Sequence, residues 1–492
     1  MAIRESSYRQ IMRATSLFGG VQFLNIIISI VRVKFVAILL GPAGVGVVGL
    51  LTSTIGLIGS MTNFGLGTSA VRNVSVAADN EEKIRTTVSI IRRLVWITGL
   101  SGTFLTFILS PFLSQVTFGN KDYTVAFMAI SITLLLSQLS TGQLVILQGM
   151  RKLDHLAKAE IAGMIVALLV SIPLYYLYGI AGIVPAIILS SLLTLFFSWY
   201  FASKIHIPTI GVVRSLFKSE GLTMLKMGFM LSLSGFITVF ASYLLKIFIG
   251  RTGGVDQVGF YNAGFAMMNT YVAMIFTAMI TDYYPRLSEV SSDNVQTKKT
   301  INEQAEIAIL VIAPILTGFI TFVDWAIILL YSHEFIIIKD MLHWTALGMF
   351  FKTASWVIGF VFLAKGASNT FFWSELVSSI YMILLNIFGY SWLGLSGLGV
   401  SFTVGYFLLF LQNFFVAKHK YHFGFASEFY RIFIIQFVLG LLCFFTMKSV
   451  SSPFSYFICL VFICLSISYS FIELNRRLPI QQMLLSIRNK YR

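Results

Sequence analysis

The chain has 492 residues, of which 57% are apolar and only 11% charged, with a mean hydropathy of +0.85 and a formal net charge of +15. So few charges cannot cover a water-soluble surface, which excludes a soluble globular protein, and no long basic block exists to serve nucleic acid. Repeated apolar runs of about 20 residues match the helix length that crosses a bilayer core, so the sequence predicts an all-α polytopic membrane protein.

Runs bounded by charge or by Gly and Pro predict fourteen spans. The first, 17 to 40, follows Arg4, Arg9 and Arg13 but is too long for a signal-peptide core, so it reads as an uncleaved span. It contains Arg32 and Lys34. The second, 45 to 68, opens on LGPAGVG (Leu40–Gly46) and carries Thr52, Ser53, Thr54, Thr62 and Asn63. Spans at 94–113, 124–148, 161–178 and 182–202 complete a first half, 1–215.

A second half, 216–430, begins with spans 228–250, holding Lys246, and 258–281, holding Asn262, Asn269 and Thr270. Spans 307–331 with Asp324, 341–364 with Lys352, 376–393 and 397–417 follow. Residues 431–492 add spans 432–448 and 454–472 and a basic tail. Cys443, Cys459 and Cys464 lie in or beside these last spans and read as small apolar residues rather than a disulfide or metal framework. Pro173, Pro185 and Pro314 read as helix kinks.

Landmarks recur at a fixed offset. Gly46 and Gly259 are 213 residues apart, and Glu160 and Glu375, like GIAGI at Gly179 and GLSGLGV at Gly394, are 215 apart. The halves therefore read as two six-span copies related by an axis along the membrane normal, an arrangement that suits alternating access to a central site. Aligning the copies at Gly41 and Gly250 pairs Lys246 with Ala37.

With both termini on one side, that side receives 27 of the 35 cations and the other only Lys121, Arg251, Lys339 and Lys448. The positive-inside rule then places both termini in the cytoplasm. Four cations remain inside spans, Arg32, Lys34, Lys246 and Lys352, where a charge costs on the order of 3 kcal/mol.

Lys352 is deep in its span and needs a cavity or a partner, for which Asp324 on the adjacent span is the candidate. Arg32 and Lys34 stand about 200° apart on one helix, so they cannot both face one cavity, and Lys34 is the preferred one. Lys246, near the outer end of its span, is expected to snorkel to the interface. Asp324, well inside its span, is either half of an ion pair or a coupling site for H+ or Na+. The hydroxyls and amides of spans two and eight, Asn63 and Asn269 among them, fit either sugar contact or helix-helix hydrogen bonds.

LGPAGVG, FGNKDY (Phe118–Tyr123), YPRLSEV (Tyr284–Val290) and LLYSHEFIIIKDMLHW (Leu329–Trp344), in that order, resemble the polysaccharide translocases of the multidrug/oligosaccharidyl-lipid/polysaccharide exporter superfamily. More narrowly, spans one to twelve are similar to bacterial O-antigen and enterobacterial common antigen flippases. The resemblance implies a V-shaped fold of two six-helix lobes in the bacterial inner membrane. It also implies a non-enzymatic flippase that moves undecaprenyl-diphosphate-linked oligosaccharide between leaflets, with membrane lipids and O-antigen polymerase as neighbours and no nucleic acid. No cofactor is implied beyond a coupling ion, H+ or Na+. The family cavity is cationic, and Lys34 and Lys352 match that pattern, whereas Arg32 departs from it. Asp324 falls on a family-like VDWAIILLYS stretch.

Two rivals remain. A cation-coupled multidrug exporter of the same superfamily would favour acids in its cavity, and four deep cations against one acid speak against it. A polymerase or ligase acting on the same lipid carrier would need a large arginine-bearing outer loop, which the sequence lacks.

Overall fold

The computed structural model describes residues 2–78 and 80–477, and every regular element among them is helical. The tail beyond Arg477 and the side chains of Arg4, Arg9, Arg13 and Thr270 lie outside the described residues. The helices are α1 (Ala2–Thr62), α2 (Leu66–Ala77), α3 (Glu81–Phe118), α4 (Thr124–Ile130), α5 (Ile132–Gly149), α6 (Leu153–Tyr178) and α7 (Ile183–Ser203). They continue as α8 (Arg214–Gly253), α9 (Val255–Glu289), α10 (Asn294–Leu330), α11 (Lys339–Ala364), α12 (Ser368–Tyr421), α13 (Ser427–Ser449) and α14 (Phe454–Arg477).

Ten helical stretches among the described residues are long and apolar enough to cross a membrane, against the fourteen spans read from sequence. The difference arises mainly because three stretches, Gly20–Thr62, Leu153–Ser203 and Ser368–Tyr421, run through the turns expected between consecutive spans. Each bends at a glycine in left-handed backbone, Gly41 (φ 64°), Gly179 (φ 55°) or Gly394 (φ 58°), a conformation that a Cβ disfavours. The run expected at 258–281 lies in α9 and is not among the ten.

Left-handed residues recur along the chain. Gly41 and Gly254 are 213 residues apart, while Arg151 and Gly366, and Gly179 and Gly394, are 215 apart. Gly179 (ψ −134°) and Gly394 (ψ −137°) adopt nearly the same conformation. An offset of 213 residues pairs Gly41 with Gly254 rather than Gly250, and Lys246 with Val33 rather than Ala37.

Packing divides the chain into two units, Met1–Asn262 with Leu330–Ser332, and Ala263–Leu329 with His333–Arg492. In the first, α1 packs on α3, α6 and α8, and α3 on α5. Asn80 caps α3 by accepting from the Glu82 and Lys83 amides (3.1 and 3.0 Å), and Glu81 and Glu82 add negative charge where the helix dipole favours it. At Gly99 and Gly142 the missing side chains let α3 and α5 approach closely, so Leu135, Gln138 and Val95 fill the space a Cβ would take.

In the second unit, α10 turns a stripe of Ala305, Ile309, Ile312, Leu316, Ile320, Val323 and Ile327 inward at helical spacing. The two helices that follow the second half, α13 and α14, are integrated into this unit. Phe350 of α11 fills the space at Gly440, Gln436 bonds Ser466 and Ser470, and Arg477 reaches Glu306 of α10 (2.7 Å).

Candidate functional site

In the first unit, α1, α3, α5 and α7, with Ile130 of α4, line a half-open cavity of about 470 Å³. Of its lining residues ten carry a hydroxyl or carboxamide, including Thr52, Ser60, Asn63, Ser137, Gln138 and Thr141, and none carries a charge. Several hydroxyl protons are already spent inside their own helices. Thr52 donates to the Val48 carbonyl (2.6 Å), Thr62 to Ile58 (3.0 Å) and Thr141 to Ser137 (2.9 Å). What these groups still offer is lone pairs, so the wall suits a neutral ligand rich in O–H donors.

Asn63 is at this wall, but its carboxamide oxygen accepts from the Leu66 amide (3.1 Å) and from Gln138 (3.3 Å), so it builds the turn into α2 as well as lining the space. Gln138 also donates to Thr98 (3.0 Å). Gln138, Ser137 and Thr141 escape the sequence reading, although the polar run SQLSTGQ inside an otherwise apolar span is a visible signal.

Lys246 does not snorkel. Its ammonium donates to Ser53 of α1 at 2.7 Å, because α8 lays this face against α1 rather than against the interface. Close by in the same unit, Tyr243 and Thr117 share a 2.7 Å hydrogen bond, and Arg251 fastens the end of α8 to the Val116 carbonyl at the end of α3 (2.9 Å). Arg32 and Lys34 are both partly buried on one uninterrupted stretch of α1, which keeps them on opposite faces.

In the second unit, two residues singled out separately meet. Lys352 of α11 donates to the Asn269 side-chain oxygen of α9 at 3.0 Å, and its ammonium stands over the rings of Tyr406 (5.1 Å) and Phe402 (5.7 Å). Ring faces and a neutral amide hold a cation in place without cancelling its charge. Among the described residues Lys352 forms no ion pair.

The expected Lys352–Asp324 pair is absent. Asp324 accepts from Lys339 at 2.7 Å, and Lys339 lies 13 residues before Lys352, about 20 Å along α11, so Asp324 is at the other end of that helix. The second Asp324 oxygen is buried without a partner.

The family model described as "Polysaccharide biosynthesis protein" matches residues 35–340, well over half the chain. The chain belongs to this family. The lipid III flippase of Escherichia coli (strain K12) is 22% identical over 355 residues, spanning 72% of this chain and 84% of that relative. Among solved structures, the lipid II flippase MurJ in an inward closed conformation superposes with a TM-score of 0.66 at 14% identity, over 95% of this chain and 99% of MurJ. An inward-facing multidrug resistance MATE family transporter of the MOP superfamily gives 0.63 at 16% identity, over 88% and 96%. The chain thus has the MurJ/MATE-like transporter fold within a family of polysaccharide biosynthesis proteins. These relatives are flippases and transporters, not enzymes.

Proposed function

We propose that this protein flips undecaprenyl-diphosphate-linked oligosaccharide repeat units of the O-antigen type from the inner to the outer leaflet of a bacterial inner membrane by alternating access. In this reading fourteen spans form two six-span copies, 1–215 and 216–430, followed by spans 13 and 14, with both termini cytoplasmic. The recurring left-handed residues at offsets of 213 and 215 support the duplication. The observation that carries the functional reading is Lys352, an unneutralised ammonium in an apolar helix, placed by Asn269 and two rings. A diphosphate is the counter-charge such a cation lacks. The acceptor-lined cavity of the first unit supports contact with sugar hydroxyls. Lys246 and Lys34 are proposed as further cationic contacts, Arg32 as a lesser one, and Asp324 as the ion-coupling acid of an antiport cycle.

The test is accumulation of lipid-linked repeat units in the inner leaflet of cells lacking the protein, complemented with variants. Lys352→Ala at normal expression is expected to cut flipping by about tenfold or more, and Lys352→Arg to retain much of it. Full flipping by Lys352→Ala removes the diphosphate assignment.

A further inference from the structure

His343 of α11 is wholly buried, and its Nε2 lies 3.0 Å from the Ile320 carbonyl of α10. A carbonyl can only accept, so Nε2 carries the proton and Nδ1 presents a bare lone pair. That Nδ1 has no partner. One turn along, Asp324 receives Lys339 on one carboxylate oxygen, while its other oxygen is also buried and unpartnered. Two orphaned buried atoms, a proton acceptor on each of two titratable side chains, therefore occupy neighbouring rungs between the same two antiparallel helices, about 6 Å apart along the axis.

The rungs straddle a break. Phe322, midway between Ile320 and Asp324, leaves helical geometry (φ −104°, ψ 21°). The charged groups around His343 are Lys339 and Asp340 on its own helix, Asp324 on α10, and Lys448 of α13, which lies 3.8 Å from Asp340; the ring of Phe444 covers one side. These four charges sum to zero. Asp324 and Lys339 are partly exposed, 25% and 31% at the side chain, while His343 stays sealed.

We propose that His343 and Asp324 form a proton-binding pair at the break in α10, reached through the exposed Asp324–Lys339 rung, and that the coupling ion of this transporter is a proton. The proton adds to the Nδ1 lone pair, and the imidazolium keeps its Nε2 donation to Ile320 while the Asp324 carboxylate, one rung away, supplies the nearby negative charge. Loading adds one uncompensated charge to a neutral cluster, and α10 is already broken where it must yield. This inference rests on the flippase reading and names its driving ion.

The test uses the full-length protein in liposomes with trapped pyranine and a fluorescent undecaprenyl-diphosphate-linked disaccharide. The readout is the ratio of flipping with an imposed pH gradient to flipping without one. For the wild type the ratio is expected at about ten. His343→Gln keeps an N–H for Ile320 but cannot take the proton, and its ratio is expected to fall to unity together with coupled proton flux. Asp324→Asn reads the same ratio with the histidine in place, should the glutamine variant fail to fold. An undiminished ratio in either variant overturns the proton pair, as does a wild type driven by a Na+ gradient and indifferent to pH. A wild-type protein that moves no probe with or without a gradient overturns the flippase reading itself.

Discussion

The start of α9 crosses α1 at a reciprocal contact. A Cβ on Gly46 would stand 2.1 Å from the Val255 carbonyl oxygen, and one on Gly259 would stand 2.0 Å from the Pro42 carbonyl oxygen. Both pairs, Gly46 with Gly259 and Pro42 with Val255, are 213 residues apart, so the crossing is approximately two-fold symmetric. Ordinary contact begins near 3.4 Å, and the obstructing atoms are backbone, so Gly46→Ala requires the two segments to part by more than about 1 Å. Forced separation of this kind costs about 1–3 kcal/mol. Gly259→Ala requires the same movement. One displacement relieves both clashes, so the double variant is expected to fall short of the summed single costs by about 1 kcal/mol or more. Denaturation of the purified protein in mixed micelles, with the four members of the cycle compared, measures this. Single variants within about 0.5 kcal/mol of wild type, or costs that add within that margin, refute a shared crossing.

Two other expectations follow from contacts within one unit. Glu473 is 4% exposed at its side chain and receives Arg431 (3.3 Å), Arg476 (3.0 Å) and Arg477, while Arg477 also holds Glu306. Glu473→Ala is expected to loosen α14 from α13 and cost about 1–3 kcal/mol in the same assay, toward the lower end because Arg431 and Arg476 are more than half exposed. Gln138→Leu removes the donor to Thr98 and Asn63 from the cavity wall, and is expected to weaken binding of the lipid-linked disaccharide by about tenfold, against an unchanged affinity for undecaprenyl diphosphate alone, as read by competition.

Much of the helical framework was legible because apolar length, Gly/Pro punctuation and charge are local properties. The bends at Gly41, Gly179 and Gly394 fall at or beside boundaries that the sequence alone suggests. The candidate residues were legible as exceptions, since a lysine or aspartate inside an apolar run is conspicuous whatever surrounds it. Their partners were not. Lys246 bonds Ser53 rather than reaching the interface, and Lys352 meets Asn269 rather than Asp324. His343 is inconspicuous in the sequence, because one histidine in a span looks like any other polar interruption.

The sequence by itself determined the membrane class, the positions of the intramembrane charges and the family, since each depends on residue type and spacing along one chain. Tertiary structure alone decided which face of each helix meets which neighbour. Close approach at glycines such as Gly46 and Gly99, and the break at Phe322, determine helix rotation and depth. Those rotations bring Lys352 to Asn269 and leave the lone pairs of His343 and Asp324 on adjacent rungs, a juxtaposition across some twenty residues that no local pattern encodes.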